Sequence, residues 1–254
     1  MNHIKAFIVY LYYIEKNMMS TLCIFLVVLF IYLHILYQFK VSNDIEVYDL
    51  DEVEKYRIDE TCETRQPVIM KLNQEEMAQR FSFQNIFNTY EIFDLNVRRC
   101  VEINVEDCQY ITLPIFDVKK LFLGAAKNTY YSENNSDFLS ASGLYKKLHT
   151  NNSLFSPPLC TSIKYDMILG CKGSYTPLRY SLENRNVFHI TNGNMKVKLI
   201  PPIFAKSLHV FKNYNQFEFI SSINVWNIQT DFIDIFNRVK VIDLDLKKSS
   251  VIII

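Results

Sequence analysis

The sequence predicts an α+β protein with an apolar N-terminal helix, short helices in the first half of the remainder and an antiparallel β sandwich or barrel in the second half. Three observations carry this. Residues 20–39, STLCIFLVVLFIYLHILYQF, contain no Asp, Glu, Lys or Arg. Segments 72–87, 118–127 and 137–149 are rich in helix formers, and the first of them sets Met77 and Phe81 four residues apart, with Ile86 beyond them. From Cys160 onward short β-like runs (SIKYDMILG, NVFHIT, MKVKLI, FEFIS, KVIDLDL, VIII) follow one another between turn residues. That spacing fits a sandwich or barrel better than a parallel sheet with crossover helices.

At 254 residues the chain can bury one substantial core, and nothing in it forces a second domain. Its 27 basic and 27 acidic residues cancel, so no overall attraction to nucleic acid is implied and a basic-footprint binder is disfavoured. Aromatic content of 14% with only 5 Gly and 7 Pro excludes a disordered or low-complexity chain. The six cysteines, Cys23, Cys62, Cys100, Cys108, Cys160 and Cys171, include no CxxC. A zinc site on paired cysteines is therefore unsupported, and the odd number beyond the apolar segment argues against a closed disulfide framework. Buried reduced thiols are the simplest reading.

The apolar run at 20–39 has the length of a bilayer-spanning helix, with Tyr32 and Tyr37 toward one end where amphipathic rings favour the interface. A buried core helix and a cleaved signal peptide are the alternatives, although no small-residue cleavage site is evident. The preceding IKAFIVYLYYI, residues 4–14, is too short to span and reads as an interfacial helix or an extension of the anchor. Lys5 and Lys16 precede the span, whereas Asp44, Glu46, Asp49, Asp51, Glu52 and Glu54 follow it. This asymmetry places the N-terminus in the cytosol and the domain in a lumenal or external compartment. The triplets Asn134-Asn135-Ser136 and Asn151-Asn152-Ser153 are compatible with that side.

The predicted organisation is residues 1–40 as the apolar segment, 41–65 as an acidic linker without a sustained apolar period, and 66–254 as the domain. Gln66-Pro67-Val68-Ile69-Met70 reads as an edge strand because a proline stands at its start. A short helix follows over 72–87, then a strand at YEIFDLNV, then helices at 118–127 and 137–149, the last with Asp137 as a candidate cap. The stretch 174–202, SYTPLRYSLENRNVFHITNGNMKVKLIPP, reads as a hairpin turning at Asn192-Gly193-Asn194.

The order of QPVIM, SPPLC (156–160), YDMILGCKGSYTPLRY (165–180), RNVFHITNGNMKVKLIPP (185–202) and INVWN (223–227) resembles the JmjC-related cupin-like proteins over residues 66–254. With the N-terminal anchor, it is similar to the membrane-anchored cupin-like proteins encoded by large DNA viruses. The resemblance implies a jelly roll, or double-stranded β-helix, that in active relatives carries Fe(II) and 2-oxoglutarate. There the strand after the TPL segment supplies His-x-Asp or His-x-Glu, because residues i and i+2 of a strand face the same side and can meet one metal. Here that position reads Arg179-Tyr180-Ser181. A guanidinium stays protonated and offers no lone pair, and a neutral hydroxyl replaces a carboxylate poorly. The family's distal His follows later strands, whereas this chain ends Ser250-Val251-Ile252-Ile253-Ile254. The jelly roll is therefore expected to be incomplete at its C-terminus, which leaves a truncated product, a fragment or a sheet with an open edge as the alternatives, and a VIII run left unpaired would be an aggregation hazard.

In the family a basic residue after the glycine turn binds the 2-oxoglutarate carboxylate. The nearest here are Lys196 and Lys198, though aligning Gly193 with the double proline puts Met195 in that place. Alternation sets Lys196 and Lys198 on one face, as a solvated strand face does. Arg179, Tyr180, Ser181, Arg185 and Lys196 are the candidate ligand-binding residues, since arginine forks suit carboxylate or phosphate. The competing reading pairs the arginines with Asp166 or Glu183. His189 reads as a hydrogen-bonded histidine rather than a metal ligand, and a nucleophile built from Cys160 or Cys171 with His189 lacks an orienting partner.

Three functions follow. The first is a membrane-anchored cupin-like domain with a degenerate metal site, a non-catalytic binding or scaffold module with a protein partner or small anionic ligand and no cofactor. The second is an oxygenase using Fe(II) and 2-oxoglutarate with atypical ligands. The third is a structural membrane or virion-associated protein.

Overall fold

The computed structural model describes residues 2–38, 44–100, 110–124, 130–214 and 217–254, with side chains described from Met18 onward except Gln38. Cys108, the first residues of the expected linker (41–43) and the end of the helix expected at 118–127 lie outside the described residues. The chain divides into two compact units, Met1–Ser42 and Asn43–Ile254.

The first unit is one helix, α1 (Asn2–Gln38), so the 4–14 run extends the helix that follows it. Met18–Tyr37 is apolar all round and every side chain in it is exposed. At 1.5 Å per residue such a stretch measures about 30 Å, the thickness of a bilayer hydrocarbon core. This one helix is long and apolar enough to cross a membrane.

The second unit is mixed α+β. It opens with β1 (Tyr48–Leu50), α2 (Lys55–Glu63) and β2 (Val68–Lys71), so most of the expected linker is folded. β1 adds parallel to β2 with Tyr48 opposite Val68. Ile58 of α2 is fully buried, packed with Val68, Met70, Val251 and Ile253, with Leu50, Val53 and Cys62 around them. Those sparse apolar residues, diluted among carboxylates, suffice to anchor the segment. Pro67 lies just before β2, where its missing N–H interrupts no ladder, and β2 is an interior strand rather than an edge.

The region expected as one helix over 72–87 is two, α3 (Glu75–Arg80) and α4 (Phe83–Thr89). Ser82 separates them by capping the second, its hydroxyl accepting from Asn85 N at 3.3 Å. Then come β3 (Asp94–Arg99), β4 (Ile111–Pro114), α5 (Ile115–Gly124) and β5 (Tyr130–Ser132). The 137–149 helix is likewise divided into α6 (Ser136–Ala141) and α7 (Tyr145–Leu148), with Gly143 between them at φ +74°, a conformation glycine adopts without steric cost. Asn135, not Asp137, occupies the N-cap position of α6. α8 (Asn152–Phe155) leads into a long irregular stretch that ends in β6 (Leu169–Gly170) and β7 (Arg179–Tyr180). Most of SIKYDMILG is therefore not strand. The remaining elements are β8 (Val187–His189), β9 (Asn194–Leu199), β10 (Val210–Asn213), β11 (Glu218–Ser221), α9 (Ile233–Phe236), β12 (Ile242–Lys247) and β13 (Ser250–Ile253).

Among the described residues the strands form four small sheets, ordered β1-β2-β13-β8, β10-β11-β7, β12-β9 and β4-β3-β5-β6. The expected 187–199 hairpin does not close on itself. β8 pairs with β13 and β9 with β12, both antiparallel. Ile190 N donates to Ser250 O at 2.9 Å and Ser249 N to Ile190 O at 2.8 Å, which joins the two pairs into one bent ribbon. Gly193 at φ +73° and Ser249 at φ +69° lie at the bend. The VIII run is not an open edge. β13 lies between β2 and β8, and Val251, Ile252 and Ile253 are all buried. A continuous apolar run is what a strand covered on both faces and paired on both edges requires.

Ile252→Ala is expected to lower stability by about 2–5 kcal/mol, as for other large-to-small core changes. Ile254→Ala, at a half-exposed position whose backbone pairing with Asn186 the substitution leaves intact, should change it by less than about 0.5 kcal/mol. Chemical denaturation of the detergent-solubilised full chain, followed by circular dichroism, measures both.

Candidate functional site

Arg98 sits on β3 with its side chain turned away from Leu95 and Val97, which belong to the main apolar core. The antiparallel register puts Tyr131 of β5 directly opposite Arg98. Two residues further on, Glu133 continues the same face. Across from this face stands the sheet of β7 and β11, where Arg179 pairs in register with Ile220 and Glu218 lies on the same side two residues away. Each sheet thus contributes one arginine and one glutamate.

The four charges interlock. Arg98 Nη1 and Nη2 donate to Glu218 Oε1 and Oε2 at 3.2 and 3.4 Å, a two-pronged contact suited to the planar guanidinium. Arg98 Nη1 is also 3.7 Å from Glu133 Oε1. Arg179 Nη2 stands 2.6 Å from Glu133 Oε2. That ion pair is close but not aligned as a hydrogen bond, so Glu133 Oε2 has no hydrogen-bond donor among the described residues. Tyr110 Oη donates to Glu133 Oε1 at 2.7 Å, accepts from Arg98 Nη1 at 3.1 Å, and its ring lies beneath the Arg98 guanidinium at 4.9 Å. The Glu133 side chain is 1% exposed and that of Arg98 3%, against 34% for Arg179.

Burial and then the Glu133 charge push the Tyr110 and Tyr131 phenols far above their ordinary range, so both remain neutral hydrogen-bonding groups. Burial works against the Arg179 charge, but the Glu133 carboxylate outweighs it and raises the pKa. The two arginines and two glutamates are matched in formal charge. The loop that follows β5 is held by Asp166, whose Oδ1 accepts from Asn135 N and Met167 N at 2.6 and 2.7 Å and whose Oδ2 accepts from Asn134 N at 2.9 Å. Asp166 therefore fixes the backbone beside Glu133 and does not pair with an arginine.

The five candidate residues do not converge. Arg179 belongs to the network just described. Tyr180 faces the other side of its strand and stacks on Phe219, centroids 4.8 Å apart and planes at 16°. Ser181 is exposed and accepts from Glu183 N at 3.3 Å. Arg185 donates through Nη1 to Asp59 Oδ1 at 3.0 Å and Phe155 O at 2.8 Å, beside the Lys55–Asp59 pair on α2. Burial raises the Asp59 pKa, but the Lys55 and Arg185 hydrogen bonds together bring it below its usual value. Lys196 is 77% exposed and stands opposite Asp245 across the β9–β12 ladder, as Lys198 stands opposite Asp243. The two lysines make a charge-matched strand face that is solvated at Lys196, whereas Lys198 is half-buried with its Nζ over the Trp226 ring at 5.3 Å. The arginines are paired, though with Glu133 and Asp59 in place of Asp166 and Glu183. Arg98, Glu133, Glu218 and Tyr110 are the residues sequence reasoning missed.

Among the described residues no three His, Cys, Asp or Glu side chains are grouped to hold a metal. The Cys160 thiol is near Ser162 O at 3.4 Å and that of Cys171 near Tyr130 O at 3.3 Å. Neither is paired with His189. Cys100 accepts from Tyr175 N at 3.4 Å, and burial pushes its thiol up to about 11. His189 is half-buried on β8, and its Nδ1 has no partner among the described residues. Burial lowers its pKa, with the Leu72 backbone opposing.

Two predictions follow from this geometry. Glu133→Ala removes the carboxylate nearest Arg179, a third of whose side chain reaches water, and leaves Arg98 its two-pronged Glu218 contact, so it should cost about 1–3 kcal/mol. Arg179→Met should cost at least as much, because it leaves the buried Glu133 carboxylate without its nearest cation, and the double variant less than the sum of the two, as a denaturation cycle will show. For His189, a depressed folded pKa means the unfolded chain binds the extra proton first. Stability is thus full above the unfolded value of about 6.5 and falls as pH drops through the lower folded value. His189→Gln should flatten this acid-side decline, and an unchanged slope in urea titrations from neutral to mildly acid pH would refute it. Compared with known proteins, the chain matches no protein-family model and no curated protein, so the functional reading rests on its own residues.

Proposed function

We propose that this chain is a single-pass membrane protein with a cytosolic N-terminus and a lumenal or external domain of cupin-like, jelly-roll kinship, acting as a non-catalytic binding or scaffold module. The sequence motifs supply the kinship and α1 supplies the tether. One observation carries the non-catalytic part: Arg179, where the resemblance puts the metal-binding strand, is held by the deeply buried Glu133 carboxylate. A guanidinium cannot ligate iron, and the carboxylate nearest to it is already charge-neutralised. The residues present do not fit an Fe(II) and 2-oxoglutarate centre, and they fit an internal brace between two sheets well.

Buried, pairwise-satisfied charges set position more than they add stability. A scaffold needs its surface held in a fixed shape. Metal analysis of the detergent-solubilised full chain, purified after exposure to Fe(II), tests this reading. The expected result is iron well below one equivalent and no 2-oxoglutarate turnover. Stoichiometric Fe(II) with turnover that Arg179→Met abolishes would establish the oxygenase instead.

A further inference from the structure

Two Asn-x-Ser triplets occur in the domain, and the fold treats them in opposite ways. Asn134 stands at φ +59° between two buried neighbours. Glu133 points into the ionic network. Asn135 points into the fold as well, its Nδ2 donating to Ser132 Oγ at 2.9 Å and Met167 O at 2.7 Å and its Oδ1 accepting from Asn96 N at 3.0 Å.

The backbone of Asn134 is held equally firmly, its N–H by Asp166 and its carbonyl by Asn96 Nδ2 at 2.7 Å. Its own side-chain amide makes no hydrogen bond among the described residues, and both Asn134 and Ser136 are exposed. A left-handed turn that sends its flanking side chains inward presents this amide to solvent. Asn151 is committed. Its Nδ2 donates to Gln74 Oε1 at 3.0 Å and its Oδ1 accepts from Gln74 Nε2 at 2.8 Å, a reciprocal amide pair at a half-buried position.

We propose that Asn134 is an N-glycosylation site and that Asn151 is unmodified in the folded protein, an inference that rests on the lumenal or external placement of the domain. The acceptor triplet requires an accessible amide with a hydroxyl residue two positions on, and Asn134 with Ser136 supplies both. The donor class is a lipid-linked oligosaccharide diphosphate. The Asn134 Nδ2 attacks the anomeric carbon, and the C–N bond forms as the C–O bond to the diphosphate breaks. The lipid diphosphate leaves with the electron pair, and one amide proton passes to a base of the transferase. No oxidant or reductant is needed. Because transfer acts on the emerging chain, the distinction between the two sites is a property of the folded product. A sugar on Asn151 destroys the Gln74 pair, whereas a bulky polar group on Asn134 extends into solvent.

The test uses the full chain synthesised with transferase-bearing microsomes and digested with peptide N-glycosidase. It is compared with Asn134→Gln, Ser136→Ala, Ser136→Thr and Asn151→Gln, and with a version carrying an Asn-x-Thr acceptor on a flexible spacer after Ile254. The expected result is a single glycosidase-sensitive mobility step in the protease-resistant folded fraction. It is retained in Asn151→Gln and Ser136→Thr and lost in Asn134→Gln and Ser136→Ala, while the appended acceptor adds a second step. An appended acceptor that is modified while Asn134 stays bare overturns the site and leaves the topology standing. An appended acceptor that stays bare overturns the topology, and the site falls with it. A step persisting in folded Asn134→Gln places the sugar at Asn151 and overturns the discrimination.

Discussion

The interaction on which the domain's arrangement depends is the exchange of charge between two sheets, Arg98 to Glu218 in one direction and Arg179 to Glu133 in the other. β7 has only two residues and its ladder to β11 only two register positions, so backbone pairing alone holds it weakly. The Arg179 contact to a carboxylate beyond the end of β5 ties this strand to the facing sheet. Apolar side chains at the same places would allow many offsets between the two faces, since dispersion contacts are individually small and non-directional. A guanidinium with two acceptors allows few. The desolvation cost of these ions is offset by their pairing, and what the arrangement contributes is register.

The second constraint is the ribbon formed by residues 187–199 against 242–253. It carries the last strand into the middle of a sheet, with β2 on one side and β8 on the other. Since β2 also receives β1, the segment after the apolar helix is drawn into the same core through Ile58. β1, α2, β2 and β13 therefore share one core. Disruption at β13 is transmitted to α2 through the contacts of Val251 and Ile253 with Ile58.

How much of this was legible follows from the range of the forces involved. The apolar helix could be read because length and composition decide it locally, and so could the strands of MKVKLI, KVIDLDL and VIII, whose alternation or unbroken apolarity is a local signal. The pairing of β9 with β12 was latent in the sequence too, since Lys196 and Lys198 match Asp245 and Asp243 at the same spacing. The folded state of residues 48–63 was hidden because Leu50, Val53, Ile58 and Cys62 are too sparse to form a period and become a core only when β13 covers them. The site was hidden for the same reason on a larger scale: Arg98 and Glu218 are 120 positions apart. Arg179 and Arg185, close in the sequence, are held by carboxylates on different elements. A usable signal existed at one of these positions, the single charge of Glu218 inside the otherwise apolar strand run FEFIS. Such a charge must find a partner wherever the strand is buried.

The same reasoning separates a brace from a reaction centre. A catalytic acid or base must exchange its proton during turnover, so its environment holds it near the point of change. Here every partner acts in the opposite sense. The Glu133 carboxylate favours the Arg179 cation, and burial beside that negative charge keeps Tyr110 and Tyr131 neutral phenols. Proton movement in this cluster would leave at least one buried ion uncompensated. The pairings join residues of the β3–β5 sheet to residues of the β7–β11 sheet, which suits the network to hold two sheets in register beneath the surface they present.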